Sequence, residues 1–174
     1  MKNINLIALF IFAITLTSCS SNNNDDEQAQ DSEFYISFEI NNKKTTYTNV
    51  ISASTNYNST LDIYGISILG GEANTALSIY LYDTAQISTK TYTGNIIPNK
   101  YISSAIISYG SGSEGFTSAA PNISSVANAS VTVTEISTTF IAGTFTGVLV
   151  SNSDYSTVTH TIKNGKFKLK FLVP

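Results

Sequence analysis

The sequence predicts an all-β domain, an antiparallel β-sandwich of about nine or ten strands, with a β-barrel as the alternative. Three observations predict it. Apolar and polar residues alternate with the period of a strand in most segments from Phe34 onward. Clusters of Gly, Asn and Ser interrupt these segments at short intervals, which is turn chemistry. No segment after residue 18 carries the apolar period of a helix.

The first strand is Phe34 to Ile40, with Phe34, Ile36, Phe38 and Ile40 on one face. Asn41-Asn42 accepts positive φ at low cost, so a tight hairpin follows. A two-residue turn sets Glu39 opposite Lys44 and Phe38 opposite Thr45, with the return strand running from Lys43 to about Val50. Ser52 to Ser59 reads as a polar loop. Leu61 to Leu69 is the next strand, and its apolar parity slips at Gly65, which predicts a bulge. Gly70-Gly71 is expected to turn the chain. Leu77, Ile79 and Leu81 then point inward, and Ser78, Tyr80 and Tyr82 outward.

Thr89 to Tyr92 and Tyr101 to Tyr109 are the following strands. Gly110 to Asn128 has no alternation and reads as the longest loop. Val131 and Val133 alternate with threonines, and Phe140 to Val150 forms a long strand with Gly143 and Gly147. Asn164-Gly165 is the favoured type I′ pair, so a terminal hairpin is expected. It sets Ile162 opposite Phe167, His160 opposite Leu169 and Val158 opposite Phe171.

Ahead of this domain (34–174) stand two other segments. Residues 1–18 hold a basic start at Lys2 and a short apolar run from Leu6 to Ile14. A spanning helix needs roughly 20 apolar residues, so the run suits a secretory signal. Leu16-Thr17-Ser18-Cys19 resembles a bacterial lipobox. That resemblance implies lipid on the Cys19 sulfur, cleavage before Cys19 and acylation of the new N-terminus. Several acyl chains on one residue hold a protein on a bilayer, since each buried CH₂ contributes about 0.8 kcal/mol. Ser20 follows the cysteine; an aspartate there resembles an inner-membrane retention signal, so the outer membrane is expected. Residues 19–33 are polar and carry Asp25, Asp26, Glu27, Asp31 and Glu33, the composition of a flexible acidic tether.

Charge and composition exclude several function classes. The formal charge of -3 comes from the tether, because the domain balances its lysines and acids almost evenly. There is no arginine and no tryptophan. Without arginine, bidentate phosphate recognition and a basic nucleic-acid face are not expected. His160 is the only histidine and Cys19 the only cysteine, so no zinc site and no metal site is expected. His160 keeps the parity of Val158 and Ile162, which places it at a core edge. Gly110 to Gly115 lacks the Gly-Lys-Ser/Thr of a phosphate loop and the region lacks a nucleophile elbow. The domain acids are scattered singly; Glu114 with Asp154 is the pair considered for two-carboxylate chemistry. Asn152-Ser153-Asp154 reads as an Asx turn before it reads as a calcium ligand set. No catalytic residue and no cofactor are expected.

Three patterns carry a family resemblance: Glu39-Ile40-Asn41-Asn42-Lys43, Ile141-Ala142-Gly143-Thr144-Phe145-Thr146-Gly147, and Ile162-Lys163-Asn164-Gly165-Lys166-Phe167. They resemble a group of small lipid-anchored surface lipoproteins of the Bacteroidota. The acidic run after Cys19 resembles the surface-export signal of such proteins. The resemblance implies an all-β surface domain and carries over no catalytic residue. The functional expectation is therefore an envelope-anchored binding or accessory module with no enzymatic activity. Tyr35, Tyr80 and Tyr82 are the candidate contacts for a glycan or protein partner, because outward tyrosines stack on rings and donate hydrogen bonds. A structural or adhesive surface protein is the alternative, and a hydrolase the third. The membrane is reached through lipid on Cys19, and no nucleic acid is expected as a partner.

Overall fold

A computed structural model describes residues 33–94, 103–119, 127–155 and 157–172. The signal, the lipobox cysteine Cys19 and the tether up to residue 32 lie outside the described residues. The described chain is all-β. Its eleven strands are β1 (Tyr35–Ile40), β2 (Lys43–Tyr47), β3 (Val50–Asn58), β4 (Ile63–Glu72), β5 (Thr75–Asp83), β6 (Thr91–Thr93), β7 (Ser104–Ser111), β8 (Glu114–Thr117), β9 (Asn128–Ile136), β10 (Phe140–Ser151) and β11 (Val158–Lys170).

The strands follow the order β2-β1-β11-β10-β9-β6-β7-β5-β4-β3, with β8 set against β10 and β7. All pairs are antiparallel except β6 with β7 and one bridge that closes the sheet on itself. At that bridge Ala53 of β3 lies beside Phe171, and the Leu172 amide donates to the Ala53 carbonyl at 2.8 Å. The sheet is thus rolled into two facing halves over one core. Phe38 on β1 sits at its centre, 5.6 Å from Tyr47, 6.0 Å from Phe145 and 6.3 Å from Tyr109 across the roll. Edge-to-face and tilted contacts of this kind suit aromatic quadrupoles. Ile68, Ile79, Leu81, Ile107, Val131, Ile141 and Leu169 are fully buried around these rings.

The first hairpin follows its sequence pattern. Asn41 and Asn42 both have positive φ, 51° and 66°, as a type I′ turn requires. Glu39 opposes Lys44 and Phe38 opposes Thr45, the expected register. The Asn41 side chain extends the ladder: Nδ2 donates to the Thr159 carbonyl at 3.3 Å, and Oδ1 accepts from the Thr161 amide at 3.1 Å. Leu77, Ile79 and Leu81 are buried, with Tyr80 and Tyr82 on the outer side.

Five expectations require correction. Ser52 to Ser59 is not a loop, because β3 runs through it in unbroken register with β4. Its outer positions are Ser and Asn and only Ala53 is buried, so the apolar alternation that marks a strand is missing. No bulge occurs at Gly65, since the registers with β3 and β5 pass straight through it. Ile63 is buried although it faces away from the side of Ile66 and Ile68, which mimics a slip in parity.

Gly70-Gly71 lies inside β4, and the chain turns at Ala73-Asn74 with Ala73 at φ 46°. Gly70 serves packing instead: a Cβ there would come within 2.6 Å of Ile36 Cδ1 and 2.9 Å of Tyr47 Cδ2. The Gly110–Asn128 stretch is not one long loop, because Gly112-Ser113 turns β7 into β8 and Phe116 is buried; residues 120–126 lie outside the described residues.

The largest correction concerns Asn164-Gly165. No hairpin forms there. β11 continues through the pair and lies between β1 and β10 along its length. Ser37 to Glu39 on one neighbour and Phe145 to Gly147 on the other each span two residues where β11 uses three. The extra residue is a β-bulge, with Asn164 at φ 52° and its Nδ2 donating to Glu39 Oε1 at 3.0 Å. Gly165 does not have the positive φ that a type I′ turn would need. A bulge reverses side-chain parity just as a two-residue turn does. The switch from Ile162 to Phe167 therefore fits both arrangements, and only the neighbouring strands decide between them.

Candidate ligand-binding site

The roll is closed along only part of its seam. Beyond Ala53, β3 diverges from the end of β11, and no strand pairs with its free side among the described residues. A cleft of about 420 Å³ opens there. Tyr57, Tyr64, Ile87, Ile136 and Phe171 line it, and Thr55, Gln86 and Ser137 supply the polar side chains; the Asn56 amide lies on the other face of the sheet, over Gly65. A neighbouring hollow of about 280 Å³ shares Thr55, Ser137 and Phe171. No charged side chain lines the larger cleft among the described residues.

Each wall is held by local chemistry. In the turn from β3 to β4, Asn58 Oδ1 accepts from the Thr60 and Leu61 amides at 3.0 and 3.1 Å. This Asx-type cap sets Asp62 where its Oδ1 accepts from the Tyr57 hydroxyl at 2.9 Å. That hydrogen bond raises the Tyr57 pKa above the usual phenol value. The Tyr57 and Tyr64 rings lie 4.7 Å apart at 38°. Tyr57 remains 52% exposed, so its face is open to the cleft side and to solvent.

The opposite wall includes the segment between β5 and β6. Asp83, only 3% exposed, is paired with Lys90 at its far end. Burial pushes the Asp83 carboxyl upward, but the Lys90 ammonium and the Thr84 and Ala85 amides outweigh it and hold the pKa below the usual value. Asp83 in turn raises Lys90. The buried Tyr92 hydroxyl accepts from the Ser88 amide at 2.9 Å and donates to the Ser88 carbonyl at 3.2 Å, pinning the same segment. The third wall is the β9–β10 turn, where Ser137 Oγ accepts from the Thr139 and Phe140 amides, each at 3.1 Å.

The residues singled out from sequence fall elsewhere. Tyr80 and Tyr82 share the outer face of β5, with near-parallel rings 6.5 Å apart at 13°. Tyr35 is on β1, separated from β5 by β11, β10, β9, β6 and β7, so the three tyrosines do not form one face. Cys19 lies outside the described residues. His160 is at the core edge as its parity suggested, but it opposes Leu149 and not Leu169, because the terminal hairpin does not form. Its ring packs 4.0 Å from Phe116 and 5.8 Å from Tyr109, with Nδ1 buried and without a hydrogen-bond partner. Burial lowers its pKa, and Glu114 offsets this in part.

Glu114 and Asp154 lie on neighbouring segments, where the Asn152 amide donates to the Gly115 carbonyl at 2.8 Å. The 152–155 segment is a turn, with the Ser151 and Ser153 hydroxyls 2.7 Å apart. No group of three His, Cys, Asp or Glu side chains able to hold a metal occurs among the described residues.

The sequence does not single out Tyr57 and Tyr64, because Tyr57 lies in the polar Ser52–Ser59 stretch, which has no apolar alternation. The signal was present: the two tyrosines bracket Asn58 to Asp62, a stretch with Asx-turn chemistry at hairpin spacing. No protein-family model matches the chain, and no curated protein or solved structure matches it.

Proposed function

We propose that the chain is a lipoprotein fastened to the outer membrane through lipid on Cys19, and that its domain is a binding or accessory module of the cell envelope with no catalytic role. The observation that carries the binding part is the cleft at the open seam, where an aromatic wall is fixed in place before any ligand arrives. Fixing side chains in advance lowers the entropy lost on association. The anchor rests on Leu16-Thr17-Ser18-Cys19 and the acidic segment that follows. The partner is a glycan or protein at the envelope, and surface display follows from the acidic segment.

A structural or adhesive role is the second reading. The unpaired side of β3 beyond Ala53 favours it, because such an edge accepts another strand. The concave cleft beside that edge favours the binding role.

Metabolic labelling with alkyne-palmitate tests the anchor. Wild-type chain incorporates the label and Cys19→Ala does not; equal incorporation removes the anchor. Protease treatment of intact cells then reports display, with digestion of the domain expected.

A further inference from the structure

We infer that the cleft at the β3–β11 seam is a site for a neutral carbohydrate, bound by stacking on Tyr57 and by uncharged hydrogen-bonding groups. This rests on the binding-module reading above and names its ligand class. The lining combines aromatic rings with an amide and hydroxyls: Tyr57 and Tyr64 together with Gln86, Thr55 and Ser137. A pyranose presents an apolar C–H face to a ring and a rim of hydroxyls that both donate and accept. Amide and hydroxyl side chains match that rim, since they also both donate and accept.

The absence of charge from the described lining separates this ligand class from its competitors. Among the described residues a phosphorylated or acidic ligand would meet no cation in the larger cleft, Lys170 lining only the adjoining hollow, and a basic peptide would meet no carboxylate there. Asp62, the nearest acid to the aromatic wall, accepts the Tyr57 hydroxyl and acts there as a positioning residue. A volume of about 420 Å³ holds one or two sugar rings, and the adjoining hollow extends the path toward Lys170 and Leu172. The site differs from the Tyr80/Tyr82 face, which is flat and lies on the outside of β5.

The experiment titrates the full-length chain with a panel of neutral hexasaccharides (glucan, xylan and mannan types), with polygalacturonate as the acidic control. Intrinsic tyrosine fluorescence is the readout, undisturbed because the chain has no tryptophan. At least one neutral hexasaccharide binds and the acidic polymer does not. Tyr57→Ala weakens binding by about tenfold, the loss of one good stacking contact. Asp62→Ala weakens it by about threefold at an unchanged unfolding midpoint, and Tyr80→Ala leaves it unchanged. A neutral sugar whose binding survives Tyr57→Ala and Tyr64→Ala but fails in Tyr80→Ala overturns the site. Silence across the panel, with an envelope protein captured by wild type and lost in Tyr57→Ala, overturns the carbohydrate class and leaves the binding module standing. Silence of both removes the two together.

Discussion

Gly165→Ala tests the bulge in β11. In an ordinary strand interior this change stabilises by roughly 0.5–1 kcal/mol, because glycine loses the most backbone freedom on folding. Here the added methyl would stand 2.5 Å from the Phe145 carbonyl oxygen and 2.6 Å from Phe145 Cγ. Ordinary contact begins near 3.4 Å, so one atom must retreat by almost an ångström. The oxygen belongs to the backbone of β10, which is paired on both sides, and the ring is 2% exposed. Neither yields cheaply.

Overpacking costs typically 1–3 kcal/mol, and this case sits at the upper end. After the entropic gain, a net loss of about 2 kcal/mol remains. For a domain of this size that lowers the melting temperature by about 6–8 °C. Thermal and urea unfolding followed by circular dichroism measure it.

Two companion variants separate a bulge from a hairpin tip. Asn164→Gly keeps the positive φ and stays within about 0.5 kcal/mol of wild type. Two glycines inserted between Asn164 and Gly165 would be harmless at a hairpin tip, but between two paired strands they prevent folding. A Gly165→Ala protein as stable as wild type, or an insertion that folds normally, refutes the continuous β11 and restores the hairpin.

Other changes have equally definite outcomes. Lys90→Ala leaves Asp83 buried without its cation; breaking a buried pair costs 3–5 kcal/mol, which solvent around the 38% exposed Lys90 side chain reduces to about 2 kcal/mol. Because the Asp83 pKa is held low, the pair's contribution is complete above the ordinary carboxylate pKa and is lost as pH falls through the lowered value. Wild type and Lys90→Ala therefore converge in urea titrations at strongly acidic pH; a gap that persists there refutes the pairing.

His160 has its pKa lowered by burial, so the unfolded chain takes up the proton first as pH drops below about 6.5. Wild type loses stability from there down through the lowered pKa, and His160→Leu abolishes that part of the decline. Melting curves at pH 7.5 and 5.5 decide it, and parallel losses in the two proteins contradict the account. Asn41→Ala gives up two hydrogen bonds to β11 and places alanine at φ 51°, for a loss of about 2 kcal/mol in urea unfolding. Asn42→Gly at φ 66° is neutral or slightly stabilising in the same assay.

The strands that could be read from sequence are those with one wet and one dry face. β1 and β5 from Leu77 onward alternate strictly, as β9 does up to Val133, and their expected inward residues are buried. β3 could not be read this way, because nearly all its side chains are small or polar and its place comes from backbone pairing with β4. The Asn164-Gly165 pair shows a different limit. Local turn chemistry states that the parity reverses, while the partner strands β1 and β10 determine whether the chain also reverses. The cleft was illegible for a third reason. Its walls are contributed by residues near 57, 64, 87, 136 and 171, brought together only when the seam closes at Ala53.

The chain enters the roll at the same end as the open seam. Tyr35, the first residue of β1, pairs with Lys168, three positions before Phe171, which lines the cleft. If the proposed Cys19 anchor holds, the domain hangs from its support by this same end, and its opening lies on the tethered side. Access then depends on the gap between globule and support. Shortening the stretch ahead of Glu33 would block long polymers before short ones, with the intrinsic affinity of the site unaltered.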